Sequence, residues 1–281
     1  MSDRFQPSAP YDVRHEDVEY ARPGGTPLLA RVYRPIGTTG PLPALVDVHG
    51  GAWSYFDRTA DAYFDSALAA CGMVVVALDF RQGPAHRHPA AVEDVVTGVA
   101  WVRDNAAALG VTADDVGLVG GSSGGHLVML AAVCPGRFGA PAARVAYALP
   151  LWPIADPLAR YRYLVARRGT PSHEPFFQPE RLMAGQDAYF GDEATMGEAS
   201  VPRVLDAGEA ERLPPIWVAH PERDENVTLP MTEAFVAAYR RAGGEAELEV
   251  FAGVGHAFAN FPGEAADRCV DRMRAFIARR V

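Results

Sequence analysis

Short apolar runs alternate with longer amphipathic segments along the chain, and this alternation constrains the fold more than any other feature. The candidate strands lie at positions 18–20, 28–33, 44–49, 73–80, 116–120, 144–151, 216–220 and 246–251. The segments between them carry helical i, i+3, i+4 spacing, as in the valine-rich stretch 92–102. Because strands separated by helices pair in parallel, the pattern predicts an α/β fold with a mostly parallel sheet.

Two regions depart from this alternation. The first two strands are joined by a turn containing Pro23, Gly24 and Gly25, which predicts an antiparallel hairpin at one edge. From 152 to 212 there is no clean strand, and prolines and aromatics are scattered through the stretch. A connection this long is usually functional, so we expect a cap or lid insertion at 152–212 within a single domain spanning 1–281.

A glycine-rich turn follows the fifth candidate strand and precedes an apolar helix. It reads GGSSGG at positions 120–125 and contains the G-x-S-x-G pattern of a serine nucleophile in its strand–turn–helix context. The pattern fits in two registers, with either Ser122 or Ser123 at its centre, and spacing does not choose between them. A serine here would otherwise only cap the helix.

A second glycine pair follows the third candidate strand, in the sequence HGGAW at positions 49–53. The backbone N–H groups of Gly50 and Gly51 can form a concave nest, which is what an oxyanion requires in acyl transfer. Standing alone, the pair would be an ordinary turn. We interpret His49 as a structural residue that braces the loop rather than as a base.

An acid and a histidine follow the last two candidate strands. Asp224 lies after the seventh strand and His256 after the eighth. The chain order of serine, acid and histidine is the order used on this type of sheet, with the histidine as base and the acid fixing its tautomer. Glu222 and Glu225 compete with Asp224 for the role of the acid.

These motifs together resemble the α/β-hydrolases of the hormone-sensitive-lipase group, which have an HGG motif, a G-x-S-x-G-G elbow and a late Asp and His. The resemblance runs from about 20 to 276 and is weakest across the insertion. It implies an α/β-hydrolase fold, a mostly parallel eight-stranded sheet flanked by helices, with a small cap. The HGG-x-W pattern with Trp53, and His126 after the elbow, resemble a branch of kynurenine formamidases and related small carboxylesterases.

Site residues follow from the resemblance. It implies Ser122, Asp224 and His256 as the catalytic residues. It implies an oxyanion hole formed by the backbone N–H groups of Gly50, Gly51 and Ser123. The chain departs from the group at Ala52, where many members have a third glycine, and at Gly121 and Ser123, where many have Asp and Ala. We interpret His126, Arg81, Glu93 and Asp94 as structural.

Aromatic residues supply candidates for substrate contact, and we assign Trp53 and Trp152 to substrate binding. The insertion adds Tyr161, Tyr163, Phe176, Phe177, Tyr189 and Phe190. These rings either line an apolar pocket for a short acyl chain or an aromatic group or attach the insertion to the sheet. No long apolar lid helix is visible, so we do not expect lipase action on oil droplets.

The sequence therefore predicts a serine carboxylesterase that hydrolyses short-chain or aryl esters through an acyl-enzyme intermediate. An arylformamidase of the kynurenine formamidase type is the alternative, because the same triad would serve it. A non-catalytic hydrolase-fold binding protein is a third and weaker hypothesis. We expect no metal and no organic cofactor.

The net charge limits the binding partners that the protein can have, and the cysteine content indicates its cellular compartment. The formal charge is −9 with no basic run, which disfavours nucleic acid and anionic membranes as partners. We expect a small-molecule ester substrate and allow for a homodimer. The three cysteines are far apart, and the first ten residues lack a basic start and an apolar core, so we expect reduced thiols in a cytoplasmic protein without a signal peptide.

Overall fold

The strands form one eight-stranded sheet in the computed structural model, which describes residue 5 and residues 11–174 and 177–281. They are β1 (Val13–Ala21), β2 (Leu28–Pro35), β3 (Leu42–Val48), β4 (Val74–Leu78), β5 (Val111–Gly121), β6 (Tyr147–Leu151), β7 (Ile216–Pro221) and β8 (Ala246–Phe251). Their order across the sheet is β1-β2-β4-β3-β5-β6-β7-β8. Strand β2 is antiparallel to both of its neighbours, and the remaining pairs are parallel. The predicted mostly parallel sheet and its edge hairpin are confirmed.

Helices cover both faces of this sheet. In the described residues they are α1 (Ala62–Ala69), α2 (Ala90–Asp104), α3 (Ala106–Leu109), α4 (Ser123–Val133), α5 (Pro157–Ala166), α6 (Pro179–Phe190), α7 (Glu193–Glu198), α8 (Val201–Asp206), α9 (Leu229–Arg241) and α10 (Glu264–Ile277). Strands β3 to β7 are buried along most of their length, as their apolar sequences require.

The core lies in two layers, one on each face, because successive strand residues point to opposite sides of a sheet. Val46 and Leu118 pack in the layer beneath α2, α4 and α9. Leu45 and Val119, their immediate neighbours in sequence, pack in the layer beneath α1 and α10. The carboxyl ends of the parallel strands therefore meet at one edge of a rigid, doubly covered sheet.

Helix boundaries follow local sequence signals. Helix α2 begins directly after Pro89, and α9 begins after Thr228 and ends shortly before Gly243, whose φ is 94°. A positive φ of this size favours glycine and ends a helix. Helix α10 turns Cys269 and Met273 into the core. The stretch predicted as helical at 92–102 lies within α2.

Two strands are longer than their apolar runs. Strand β5 begins at Val111 rather than at 116, because a bulge opposite β3 accommodates the polar residues around Asp114. Strand β1 begins at Val13 although five of its nine side chains are exposed, four of them charged. It lies at the edge of the sheet, where charged side chains are tolerated and discourage further pairing.

The stretch 152–212 connects β6 to β7, and its described part contains helices α5 to α8. Helix α8 packs against α4 and α9, whereas α5, α6 and α7 pack against one another, with α7 also contacting α8. Within the described residues, no helix has both the length and the apolar character needed to cross a bilayer.

Candidate active site

A sharp turn between β5 and α4 carries Ser122, and its shape explains the glycines around it. Ser122 has φ 56° and ψ −118°, a strained conformation for a residue with a side chain. A Cβ on Gly124 would lie 1.9 Å from the Val48 carbonyl oxygen, and one on Gly120 would lie 2.7 Å from the same atom. Helix α4 therefore passes β3 and β5 at a distance that only glycine permits.

The turn separates the two serines that the sequence pattern left equivalent. Ser122 occupies the strained apex, whereas Ser123 is the first residue of α4 and is fully buried. The Ser123 hydroxyl accepts a hydrogen bond from the backbone N–H of Trp53 at 3.2 Å. The Ser122 hydroxyl is therefore the one of the two that faces the carboxyl edge of the sheet.

His256 connects this hydroxyl to a carboxylate. Its Nε2 lies 3.0 Å from Ser122 Oγ, and its Nδ1 lies 2.8 Å from an Asp224 carboxylate oxygen. An ionised carboxylate can only accept, so Nδ1 carries the proton and Nε2 is free to accept from the serine. The structure thus brings together the three residues predicted as catalytic, which follow β5, β7 and β8.

The Asp224 carboxylate is held rigidly in its loop. Its other oxygen accepts hydrogen bonds from the backbone N–H groups of Asn226 and Val227, both at 2.8 Å. The two competing acids are engaged elsewhere, since Glu222 accepts from the backbone of Gly253 at 2.7 Å. Glu225 forms an ion pair with Arg167 at 2.7 Å. Neither contacts His256 through a side-chain hydrogen bond in the described residues.

The residues predicted for the oxyanion hole surround the serine. Gly50 lies beside it, because a Cβ on Gly50 would stand 3.4 Å from Ser122 Cβ. Gly51 has φ 108°, which turns the loop after β3 back on itself. In the described part of the chain, the N–H groups of Gly50, Gly51 and Ser123 donate to no protein acceptor. Their role in oxyanion binding stays a prediction.

A cavity of about 360 Å³ opens onto this constellation. Trp152, one of the two tryptophans predicted to contact substrate, lines it and packs its ring 6.2 Å from that of His256. The entrance is apolar, with Phe56 and Phe261 among the most exposed large hydrophobic residues at 67% and 60%. Nothing in the spacing of the sequence marked these two rings.

Trp53, the other predicted substrate contact, does not line this cavity. It is fully buried, its ring stacks 5.9 Å from that of Tyr189, and its indole N–H donates to His126 Nδ1 at 3.2 Å. His126 Nε2 in turn donates to the Ala199 carbonyl at 2.8 Å. Burial lowers the pKa of His126 to about 3, so it stays neutral and serves as a bridge between the sheet and the insertion.

Apart from Trp152, the described aromatics of the insertion belong to packing clusters rather than to the cavity lining. Tyr189 and Phe190 belong to the main core, and Phe177 packs with Leu164 in a small cluster of its own. Phe176 lies outside the described residues. Tyr189 and Phe190 therefore attach the insertion to the core, which is one of the two roles the sequence allows, whereas Phe177 packs within the insertion itself.

The residues interpreted as structural have structural contacts. His49 is buried, stacks on Phe80 at 4.4 Å between ring centres, and points its Nδ1 at the Gly50 carbonyl 2.7 Å away. Arg81 binds Asp94 through several hydrogen bonds near 2.9 Å and reaches Glu93 at 3.1 Å. Among the described residues, no group of three or more His, Cys, Asp or Glu side chains is arranged to hold a metal ion.

The insertion contributes two polar residues to the site that the sequence did not single out. Glu174 accepts a hydrogen bond from the backbone N–H of His256 and another, at 2.9 Å, from that of Glu225. Burial, and then the charge of Asp224, raise the pKa of Glu174. The other residue is Arg160 on α5, which lines the cavity and donates to Asn226.

A family model described as alpha/beta hydrolase fold matches residues 45–260. The chain belongs to the α/β-hydrolase family. The match covers the strands and loops that carry the serine, the acid and the histidine, and the resemblance to the hormone-sensitive-lipase group predicted from the motifs is confirmed.

Relatives of this α/β-hydrolase include esterases from Mycobacterium tuberculosis. Esterase LipQ is 30% identical over 247 residues, which cover 84% of this chain and 55% of that protein. Carboxylesterase NlhH is 33% identical over 135 residues, which cover 46% of this chain and 41% of that protein. The chain spans about half the length of the curated relatives it matches.

Among solved structures, a hyperthermophilic esterase from the archaeon Pyrobaculum calidifontis superposes with a TM-score of 0.78 at 28% identity. The superposition covers 96% of this chain and 87% of that one. The α/β-hydrolase architecture is therefore shared over nearly the entire chain, including the connection between β6 and β7.

Proposed function

We propose that this chain is a serine carboxylesterase that hydrolyses short-chain or aryl esters through an acyl-enzyme intermediate. The observation that carries the proposal is the hydrogen-bonded relay in which Ser122 Oγ lies 3.0 Å from His256 Nε2 and His256 Nδ1 lies 2.8 Å from Asp224. The similarity to proteins named esterase and carboxylesterase supports an ester as the scissile bond.

The proposed reaction has two steps. His256 Nε2 takes the hydroxyl proton as Ser122 Oγ attacks the ester carbonyl carbon, and the oxyanion is stabilised by N–H groups of Gly50, Gly51 and Ser123. Collapse of this intermediate breaks the bond to the alcohol oxygen, which receives the proton from His256. A water molecule, deprotonated by the same imidazole, then attacks the acyl-enzyme and releases the acid.

The cavity sets the size of the substrate in this proposal. A volume of about 360 Å³ is at the small end of pockets that bind small molecules. Trp152 beside the nucleophile and Phe56 and Phe261 at the entrance suit a short acyl chain or an aryl group. A long acyl chain would extend past the exposed entrance rings into water.

We also propose that the stretch 152–212 acts as a cap over the site. Support comes from its contributions to the cavity wall, which include Arg160, Gln178 and Leu182. A cytoplasmic location is proposed as well, because Cys134 and Cys269 are buried free thiols, as is usual in reducing compartments.

The proposal is tested with p-nitrophenyl esters of increasing acyl length together with N-formylkynurenine. We expect the largest kcat/KM for acetate to butyrate esters, a fall for longer chains, and little turnover of the formamide. Faster turnover of N-formylkynurenine than of every ester would assign the chain to the arylformamidases instead. Absence of turnover on all of these substrates would favour a binding protein.

A further inference from the structure

The charged side chains of the active-site cavity are unusual for so acidic a protein. The chain has a formal charge of −9, yet no Asp or Glu is found among the described residues that line this cavity. Apart from His256 and the Tyr55 phenol, the ionisable side chains among the described lining residues are those of two arginines, Arg160 and Arg181. The two arginines therefore give positive charge to the lining of the cavity that contains the proposed nucleophile.

Arg160 is buried at the inner wall, with 1% of its surface exposed. Its guanidinium donates to two neutral amides, Gln186 Oε1 at 3.0 Å and Asn226 Oδ1. Its Nε–H has no hydrogen-bond partner among the described residues. Among the described residues, no Asp or Glu carboxylate lies within ion-pair distance of the Arg160 guanidinium.

The carboxylate whose charge acts on Arg160 is already committed to other groups. Asp224 acts on Arg160 electrostatically, but its two oxygens accept from His256 and from backbone N–H groups. Burial lowers the pKa of Arg160 to about 9, against the opposing effect of Asp224, so the guanidinium remains a cation at neutral pH. A buried cation without an ion-pair partner is costly and is stabilised when an anion reaches it.

We infer that Arg160 forms an anion subsite of the active-site cavity and that the preferred substrate is an ester carrying a carboxylate on its acyl or its alcohol part. This inference rests on the proposed function. Arg160 and Ser122 line one cavity of about 360 Å³, so a single small molecule reaches both. A guanidinium matches a carboxylate in shape and charge. Arg181, exposed and stacked 4.9 Å from the Tyr55 ring, adds positive charge nearer the solvent.

Two pairs of esters test this subsite, each pair differing only in charge. Phenyl hydrogen succinate and phenyl succinamate place the carboxylate or the amide on the acyl side. Sodium 4-acetoxybenzoate and 4-acetoxybenzamide place them on the alcohol side. After correction for uncatalysed hydrolysis, we expect the carboxylate member of one pair to have a kcat/KM at least roughly tenfold higher, as charged hydrogen bonds give.

The pair that shows the preference identifies the side of the scissile bond that faces Arg160. The preference should persist at about 0.5 M NaCl, because a buried ion pair is weakly screened. If the wild-type protein hydrolyses the neutral member of both pairs as fast or faster, the inference is wrong and the proposed esterase activity stands. If none of the four esters is hydrolysed, both are wrong.

Substitutions assign the preference to one arginine. We expect Arg160→Met to remove the preference and Arg160→Lys to keep part of it, each judged by the carboxylate-to-amide ratio so that a general loss of activity cancels. Arg162→Met is the matched control on the same helix, since Arg162 is exposed and pairs with Glu193. A ratio that survives Arg160→Met, or one that is abolished by Arg181→Met alone, would overturn the inference.

Discussion

The Glu174 carboxylate accepts a hydrogen bond from the backbone N–H of His256, 82 positions further along the chain. Its second oxygen accepts from the backbone N–H of Glu225 at 2.9 Å, beside Asp224. One side chain of the insertion therefore ties the loop of the acid to the loop of the histidine. A Cβ on Gly255 would lie 2.8 Å from this carboxylate, so the contact also requires a glycine before the histidine.

Replacing Glu174 with Gln should disturb this arrangement without changing its size. The two oxygens of Glu174 accept from the backbone N–H groups of His256 and Glu225. A glutamine amide has one oxygen that can accept and one NH₂ group that can only donate, so one of these two hydrogen bonds is lost and the NH₂ group faces a backbone N–H. We expect kcat on a neutral p-nitrophenyl ester to fall by roughly tenfold with KM little changed. Glu180→Gln, at an exposed position on α6, is the control, and an equal effect from it would contradict the positioning role.

The identity of the acid is tested by exchanging carboxylates for amides. In Asp224→Asn the amide no longer holds the correct tautomer of His256, and we expect kcat to fall on the order of 10⁴-fold, as in other triads. Glu222→Gln should stay within roughly twofold of wild type, because Glu222 only accepts from the Gly253 backbone. The reverse pattern would assign the acid to Glu222.

The close passage of α4 over β3 predicts a large steric effect at Gly124. In Gly124→Ala the new methyl group would lie 1.9 Å from the Val48 carbonyl and 2.6 Å from that of His49. Both are backbone atoms in a packed core, so we expect a loss of about 3 kcal/mol in the free energy of unfolding, measured by urea titration. Gly263→Ala is the control, since a Cβ there meets nothing within 4 Å.

A cluster of buried carboxyl groups, Asp47, Asp61 and Asp65, lies between β3 and α1, behind the cavity-lining residue Asn260. Burial raises the pKa of Asp61 to about 7, although a hydrogen bond from Asn260 opposes the rise. Burial, followed by the charges of its acidic neighbours, also raises the pKa values of Asp47 and Asp65. The folded protein therefore holds protons that the unfolded chain releases above its ordinary carboxyl pKa.

Stability should consequently decrease as pH rises through this range. A carboxyl group whose pKa is raised in the folded protein stabilises it fully below the pKa of the unfolded chain, which is near 4. This stabilisation is lost as pH rises from there to the pKa of the folded protein, by about 1.4 kcal/mol per pH unit for each proton. We expect Asp65→Asn to gain stability relative to wild type between about pH 5 and pH 8 in urea titrations. Asp206→Asn, at an exposed ion pair, should follow wild type; an Asp65→Asn curve parallel to wild type would contradict the protonated cluster.

Much of the fold follows from local sequence signals. The apolar runs of β3 to β7 and the glycines around Ser122 are signals that extend over only a few residues, so hydrophobic pattern and turn chemistry were sufficient to predict these elements. The charged strand β1 was predicted only from 18 to 20, because its pairing with β2 depends on register rather than on its own composition. Trp53 was assigned to substrate because an aromatic ring can line an apolar pocket, but its ring turns into the core beside His126.

The insertion's polar contacts could not be predicted in the same way. Glu174 and Arg160 reach residues 82 and 66 positions away, and no local pattern records such contacts. On α5, Arg160 is buried whereas Arg162, two residues later, is exposed. The one feature of the sequence that indicates burial of Arg160 is its i, i+4 spacing to buried Leu164. That spacing alone does not distinguish a buried cation from a surface one.

The central claim is that the Ser122 hydroxyl, activated by His256, is the nucleophile. Intact-mass measurement after treatment with a fluorophosphonate tests it on wild type, Ser122→Ala and Ser123→Ala. The account predicts one added phosphonyl group on wild type and on Ser123→Ala, none on Ser122→Ala, and a loss of turnover on the order of 10⁶-fold in Ser122→Ala. Labelling of folded Ser122→Ala, with none on folded Ser123→Ala, would contradict it.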